Sequence, residues 1–412
     1  MSRLPPILRA MEHRNFRLYA FGQGVSLIGT WLQRVAMGWL PYRLSGSISL
    51  LGMIGFCSQG ALFFIAPFAG ILGDHANKRK LITVIQFIML GQAVVLTLLT
   101  WLGAIKPWHL LILALTLGIA SAFDAPLRQA MLANLVPDKT HLPNAIALNS
   151  LLVNVARVAG PALAGVVVAA FDEATCFALN TLSFVAIIVA LWRIEWSDTQ
   201  PAADSINYWH SFMEGGRYVA EITPIRTGFV LICAVSWCIA PYVTLMPVFA
   251  KDVLEGEATL LGILLAAAGV GTIAGTLYLA ARRSANGLGG VIAFAAGLSG
   301  ISMCVFAVTT AMLPALLALC LVGCGMTVAA AGTNIIFQSL APAEMRGRIA
   351  SFYIMAFIGV APFGTLASAA IADQTGIRFA FFLNGVACCI AALWFKSQSA
   401  RSGKDCKETE TP

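Results

Sequence analysis

Charge is the scarcest thing in this chain: Asp, Glu, Lys and Arg make up 11% of its 412 residues, against about a quarter in an ordinary soluble domain. No long polar stretch separates the apolar runs, so no sizeable soluble domain is expected. The phosphate-cradling G-x-x-x-x-G-K-[ST] loop is missing, as are H-E-x-x-H and G-x-S-x-G, which removes support for ATP-driven pumping and for the common hydrolase chemistries. Ten cysteines are present but none form a C-x-x-C pair. Nine of the ten lie inside apolar stretches and only Cys406 lies in a polar tail, so neither a disulfide framework nor a metal site is indicated. Buried thiols acting as small apolar groups account for them better. No cofactor is expected, and no enzymatic activity.

What is present is apolar: 59% of residues are hydrophobic and mean hydropathy is +0.83. That composition describes an all-α polytopic membrane protein. With about twenty apolar residues per span, the sequence predicts spans over 16–44, 47–73, 81–103, 108–133, 144–170 and 174–194. Six more follow at 227–250, 259–281, 288–310, 313–340, 349–371 and 377–396. The first follows a basic stretch but is far longer than a signal-peptide core, so it should remain as a helix. The expected organisation is a six-helix half over 1–194, a linker over 195–226, a second six-helix half over 227–396 and a disordered tail over 397–412.

The net charge of +7 is scattered over short loops rather than gathered on one face, so no nucleic acid partner is expected. It serves topology instead. With both termini inside, 20 of the 26 Lys and Arg fall in cytoplasmic segments or in the cytoplasmic ends of spans, Arg128 among them. The outer connections hold only Arg43, Lys106, Lys251 and Arg378, and Arg34 and Arg157 lie within spans. That asymmetry is what retention of basic loops on the inside predicts. In the linker, Ile206, Trp209, Phe212, Met213 and Tyr218 recur at near-helical spacing with Glu214, Arg217 and Glu221 between them, which predicts a surface amphipathic helix.

Two features relate the halves. Gln129 to Pro137 ends the fourth span as Phe337 to Pro342 ends the tenth, and each is followed by a span with a proline beside small residues, Gly160-Pro161 and Ala361-Pro362. Repeats of this kind about the membrane normal occur in secondary transporters. Between the second and third spans lies Gly70-Ile-Leu-Gly-Asp74-His-Ala-Asn-Lys78-Arg79-Lys80, a charged turn. Gly70 lets a neighbour approach, and Asp74 can face a helix N-terminus or a basic partner. The turn either latches helices together or only sets topology.

Charges inside spans cost about 2.5 to 3.5 kcal/mol each on insertion scales, so each needs a partner or a cavity. Asp124 and Arg128 stand at i and i+4 and can pair. Asp124 is read as a carboxylate that gains and loses a proton, with Arg128 and Arg34 as companions in coupling, or else as a structural partner of Arg128. Arg34 and Arg157 either meet an anionic substrate or serve as charge partners. Gln33, Asn149, Asn154, Asn334 and Gln338 can bond substrate or neighbouring helices.

The turn at 70–80 resembles the loop between helices 2 and 3 of the major facilitator superfamily; Gly70, Asp74, Lys78 and Arg79 match its pattern and His75 and Asn77 depart from it. Arg157-Val-Ala-Gly160-Pro161-Ala-Leu-Ala-Gly165 resembles the G-P-x-x-G motif carried mainly by proton-linked exporters, with Ala156 where that motif has an earlier glycine. A bend at Gly160, Pro161 and Gly165 against the eighth span, which offers Gly269, Gly271 and Gly275, is the expectation.

Three runs, 29–39, 123–130 and 142–150, are similar to the branch containing bacterial siderophore exporters and macrolide-type efflux proteins, and the likeness covers nearly the whole chain. The resemblance implies twelve helices in two six-helix halves and proton-driven export of a small organic molecule from the bacterial inner membrane by alternating access. The implied partners are a small-molecule substrate, protons and the lipid bilayer, with the protein a monomer. An importer, a lysolipid flippase and a non-transporting receptor or scaffold on the same fold remain open.

Overall fold

A backbone in hydrocarbon finds no water to bond, so each apolar run must satisfy its own N–H and C=O groups, and a helix does so within one segment. The computed structural model describes residues 6–75, 78–136, 138–195, 208–282, 287–342 and 345–408, and no β-strand occurs among them. After a 3-10 turn at Pro6–Glu12 come α1 (Arg14–Ser45), α2 (Ile48–His75), α3 (Lys78–Trp101), α4 (Pro107–Leu135), α5 (Leu142–Ala170) and α6 (Glu173–Arg193). A shorter α7 (Tyr208–Glu221) precedes α8 (Thr223–Ile239), α9 (Pro241–Val248), α10 (Ala258–Ala281), α11 (Leu288–Val308), α12 (Met312–Leu340), α13 (Arg346–Ile354), α14 (Ala361–Thr375) and α15 (Ile377–Glu408).

Among the described residues, 11 helical stretches are long and apolar enough to cross a membrane. The 32-residue α1, which carries Arg14, Arg17, Arg34 and Arg43, is a further helix of that length. The chain is an all-α polytopic membrane protein. Each predicted span coincides with one of these stretches, its ends displaced by a few residues, with one exception. α15 continues as helix to Glu408, well past the predicted end at 396. Residues 397–408 thus extend the helix where a disordered tail was expected, adding turns to an existing helix being cheaper than starting one.

Two spans are composites. Thr223–Val253 joins α8, α9 and a π-helical turn at Phe249–Val253, and Arg346–Thr375 joins α13, a π-helical turn at Met355–Gly359 and α14. Both α9 and α14 carry a proline in their first turn, Pro241 and Pro362. A proline has no N–H to give, so carbonyls about one turn earlier lose a donor. The carbonyl of Phe357 accepts the hydroxyl of Ser236 from α8 instead. Proline also explains the matched ends of α4 and α12. Val136 (φ −123°, ψ 97°) and Ala341 (φ −76°, ψ 129°) each precede a proline and are extended, as the clash with its ring demands.

By Cα packing the chain forms two compact units, Met1–Leu50 with Phe64–Ala203 and Gly256–Ala266, and Leu51–Phe63 with Asp204–Glu255 and Ala267–Pro412. In the first, α1 packs on α4, α5 and α6, and α3 packs on α4 and α6. Its core includes Phe16, Tyr19, Ile82, Met131, Phe184 and Ile187. In the second, α11 lies against α12 and α15, and α8 against α12, α14 and α15. Gly300 and Gly385 let α11 and α15 meet backbone to backbone: a Cβ on either would lie 2.6–2.7 Å from the other's carbonyl oxygen.

The amphipathic α7 is docked on its own unit. Its Gly215 and Gly216 lie against Phe352 of α13, Glu214 pairs with Arg348 at 2.5 Å, and the Tyr218 hydroxyl donates to the Leu340 carbonyl. Ile206, also assigned to this helix from the sequence, lies outside the described residues, as do the side chains of Trp209 and Phe212.

Candidate functional site

The sequence places a carboxylate and a guanidinium one turn apart on α4, and the fold brings two glutamines from other helices to meet them. Arg128 Nε donates to Asp124 Oδ2 at 2.6 Å, and Gln86 Nε2 of α3 donates to Asp124 Oδ1 at 2.6 Å. Arg128 also donates to Gln23 Oε1 of α1. The residues are withdrawn from the surface: the Arg128 and Asp124 side chains are 10% and 16% exposed, and Gln86 is fully buried. The Tyr19 ring lies alongside, its hydroxyl donating to Asn149 Oδ1 of α5 at 3.4 Å. Both carboxylate oxygens are therefore in use, and the Arg128 guanidinium bridges α4 to α1.

A second polar network ties α1 to α3 and α6 deeper in the same unit. Asn180 Nδ2 donates to Gln33 Oε1 at 2.7 Å, Gln33 Nε2 donates to Gln92 Oε1 at 3.0 Å, and the Ser183 hydroxyl donates to Asn180 Oδ1 at 2.9 Å. Gln33 is 1% exposed, with both ends of its amide engaged, so it faces a helix interface. At one end of α1, Arg43 grips Glu173 of α6 with two parallel bonds, 2.7 and 3.0 Å. Beside it Asp172 caps α6, accepting from the Thr175 N–H and hydroxyl.

Arg34, next in sequence to Gln33, turns the other way and is exposed. Its guanidinium carbon lies 5.2 Å from the centre of the Trp31 ring. Trp31 is seated on Gly160 of α5, where a Cβ would come within 2.3 Å of the Trp31 Cβ. One turn back on α5, Arg157 is half-buried, close enough for its charge to act on Arg34. Asn154 donates to the Ser150 carbonyl of its own helix at 3.0 Å. In the second unit, Asn334 and Gln338 of α12 line one open cavity of about 430 Å³ with Ile335, Ser339 and Arg346. The Asn334 Oδ1 atom is buried there without a hydrogen-bond partner.

α2 ends at His75 and α3 begins at Lys78, which puts the charged turn where the sequence puts it. Residues 76 and 77, the surroundings of Gly70 and the side chains of Asp74 and Lys78 lie outside the described residues; Arg79 is exposed. α5 runs on as α-helix through Pro161. Its small residues meet α10, but at a different register from the one expected. A Cβ on Gly262 would lie 2.5 Å from the Pro161 carbonyl oxygen, and one on Gly165 would lie 2.8 Å from that of Ala258. Gly271 and Gly275 face Cys320 and Cys324 of α12 instead. Sequence reasoning missed Gln23, Gln86, Gln92 and Asn180; each is an uncharged amide inside an apolar run, which was the available signal.

Paired charges and amides are held here among long apolar helices, and the fold is one that known membrane transporters share. A crystal structure of a bacterial homologue of the human lysosomal transporter Spinster superposes with a TM-score of 0.70 over 98% of this chain and 99% of that one, at 15% identity. The chain belongs to the transmembrane secretion effector family of major facilitator transporters, whose family model matches residues 7–410. It is 25% identical over 380 residues to the Staphyloferrin A transporter of Staphylococcus aureus, covering 89% of this chain and 92% of that protein. It is 22% identical over 393 residues to Macrolide efflux protein A of Streptococcus pyogenes, covering 92% and 96%. These relatives are transporters rather than enzymes, so the protein's partners are a small-molecule substrate and the lipid bilayer.

Proposed function

We propose that this protein is a proton-coupled exporter of a small organic molecule, a siderophore or drug-like compound, working by alternating access as a monomer in the bacterial inner membrane with both termini cytoplasmic. The observation that carries the reading is the Asp124–Arg128 pair. Among the described residues Asp124 is the one carboxylate set inside a span away from its ends; Arg128 of α4 and Gln86 of α3 bond it, and Gln23 of α1 bonds Arg128. A proton arriving at Asp124 releases Arg128, and Gln23 and Gln86 accept the rearranged donors; loss of the proton restores the pair. Such a two-state ion pair is a way for a proton to bias which arrangement of helices is stable. Within the first unit Arg34, Asn154 and Arg157 offer polar contacts for cargo, while Gln33 holds α1 in register; within the second unit Asn334 and Gln338 offer polar contacts of their own. The turn at Gly70, Asp74, Lys78 and Arg79 acts as a latch on helix movement, and Gly160, Pro161 and Gly165 shape α5.

Everted membrane vesicles energised to an acidic interior test this. A panel of siderophores and macrolides should contain at least one compound that accumulates against its gradient, with accumulation collapsing when a protonophore is added. Accumulation that survives the protonophore contradicts the proposal.

A further inference from the structure

We propose that the surface made by Arg34, Trp31 and Arg157 is an anion-recognition site, and that the cargo is a small molecule carrying two or more carboxylates. The inference rests on the transport reading above and narrows its substrate class. Two guanidinium groups stand on the packed helices α1 and α5, each one turn from the contact in which Trp31 sits on Gly160. Three other arginines of the first unit are paired: Arg14 with Glu195, Arg43 with Glu173 and, inside a span, Arg128 with Asp124. Arg34 and Arg157 have no ion pair and no side-chain hydrogen bond among the described residues. Two uncompensated cations within spans are costly, and that cost is removed when something anionic arrives.

The site is also built to hold its shape. The Trp31 ring supports the Arg34 guanidinium on one face, and Gly160 fixes the ring by leaving no space beneath it. A planar five-donor fork held against an aromatic face keeps its outer N–H groups directed outwards, the geometry that matches a carboxylate with two parallel bonds. One turn away on the helix that holds Trp31 in place, Arg157 offers a second fork to a second carboxylate. Arg34 at i+3 from Trp31 and Arg157 at i−3 from Gly160 are thus brought to one place by a single ring-on-glycine contact. A cationic cargo would meet repulsion from both groups, and a neutral one would leave both charges unpaired.

The test is equilibrium binding to the purified full-length protein, read as protection against thermal unfolding. The probes are glutarate, tricarballylate and trimesate, each beside its methyl ester. At least one acid should stabilise the protein saturably, the tricarboxylates more than glutarate, with the effect weakening as salt rises and absent for every ester. Arg34→Gln and Arg157→Gln should each bind at least about tenfold more weakly, while Arg217→Gln on the surface of α7 binds as the parent does. Without ligand, the Arg34→Gln/Arg157→Gln protein should unfold within a few degrees of the parent, because the repulsion it loses offsets the lost contact with the Trp31 ring.

Acids and esters that protect alike overturn the proposal, as does a panel in which no acid protects or a double variant that binds acids as tightly as the parent. A double variant that unfolds about ten degrees earlier or more also overturns it, since the arginines would then be holding the protein itself together by more than the Trp31 ring contact. Equilibrium binding needs no proton gradient. Failure here is therefore distinct from failure of proton coupling, which only the vesicle flux reports.

Discussion

Asp124→Asn is the substitution whose consequence the structure fixes most tightly. In the parent, one carboxylate oxygen takes Arg128 Nε at 2.6 Å and the other takes Gln86 Nε2 at 2.6 Å. The amide that replaces it carries no charge, so Arg128, only 9% exposed, is left as a buried cation with Gln23 as its remaining acceptor. Removing one partner of a buried pair typically costs about 3 to 5 kcal/mol, most of it the uncompensated charge. For a unit of roughly 200 residues that corresponds to a fall in Tm of about 6 to 20 °C. Arg128→Gln should also destabilise, by less, because Gln86 still bonds the carboxylate. The double variant removes both charges and leaves four amides that can bond one another, so it should lie within about 1 kcal/mol of the parent, a coupling of about 2 kcal/mol or more in a double-mutant cycle. Scanning fluorimetry of the four purified proteins measures all three differences. A single Asp124→Asn variant that melts within about 1 °C of the parent refutes the claim that the pair is held in a low-dielectric site.

Three further outcomes follow from other parts of the molecule. Gly160→Ala places a methyl group 2.3 Å from the Trp31 Cβ, an atom too near its backbone to swing aside; overpacking of this kind costs about 1 to 3 kcal/mol, visible as a lower Tm. Asp74→Asn should slow export while leaving expression and Tm close to those of the parent, since the turn is proposed to govern movement rather than folding; an unchanged flux at equal protein level would reduce it to a topology signal. Reporter fusions should place both ends of the chain in the cytoplasm, and an outside C-terminus would contradict the even number of spans.

The helices were legible because hydrocarbon leaves the backbone one economical solution, and span length is written directly in apolar runs. Helix ends at Leu135 and Leu340 were legible too, because each is followed two residues on by a proline that forces the intervening residue out of helical space. The i, i+4 spacing of Asp124 and Arg128 gave their pairing. What a single sequence could not give was which helices meet. Gln23 and Gln86 complete that pair from α1 and α3, more than 35 residues away in sequence. Gln33 could bond substrate or a neighbouring helix by sequence alone; successive residues on a helix point about 100° apart, and while Arg34 is exposed Gln33 bonds Gln92 and Asn180. Nor does proline content alone tell a continuous helix from an interrupted one: α5 passes through Pro161, while the spans holding Pro241 and Pro362 both contain π-helical turns.

Proton movement is the most direct measure of the central claim. Proteoliposomes containing the protein and a trapped pH dye, given the compound that the vesicle panel identifies, should show cargo moving one way and protons the other, both in proportion to protein. The Asp124→Asn/Arg128→Gln protein, equally stable, should exchange cargo down its gradient with no accompanying change in internal pH. Proton movement that persists in that double variant, or parent protein that drives cargo uphill with no proton movement at all, contradicts the account.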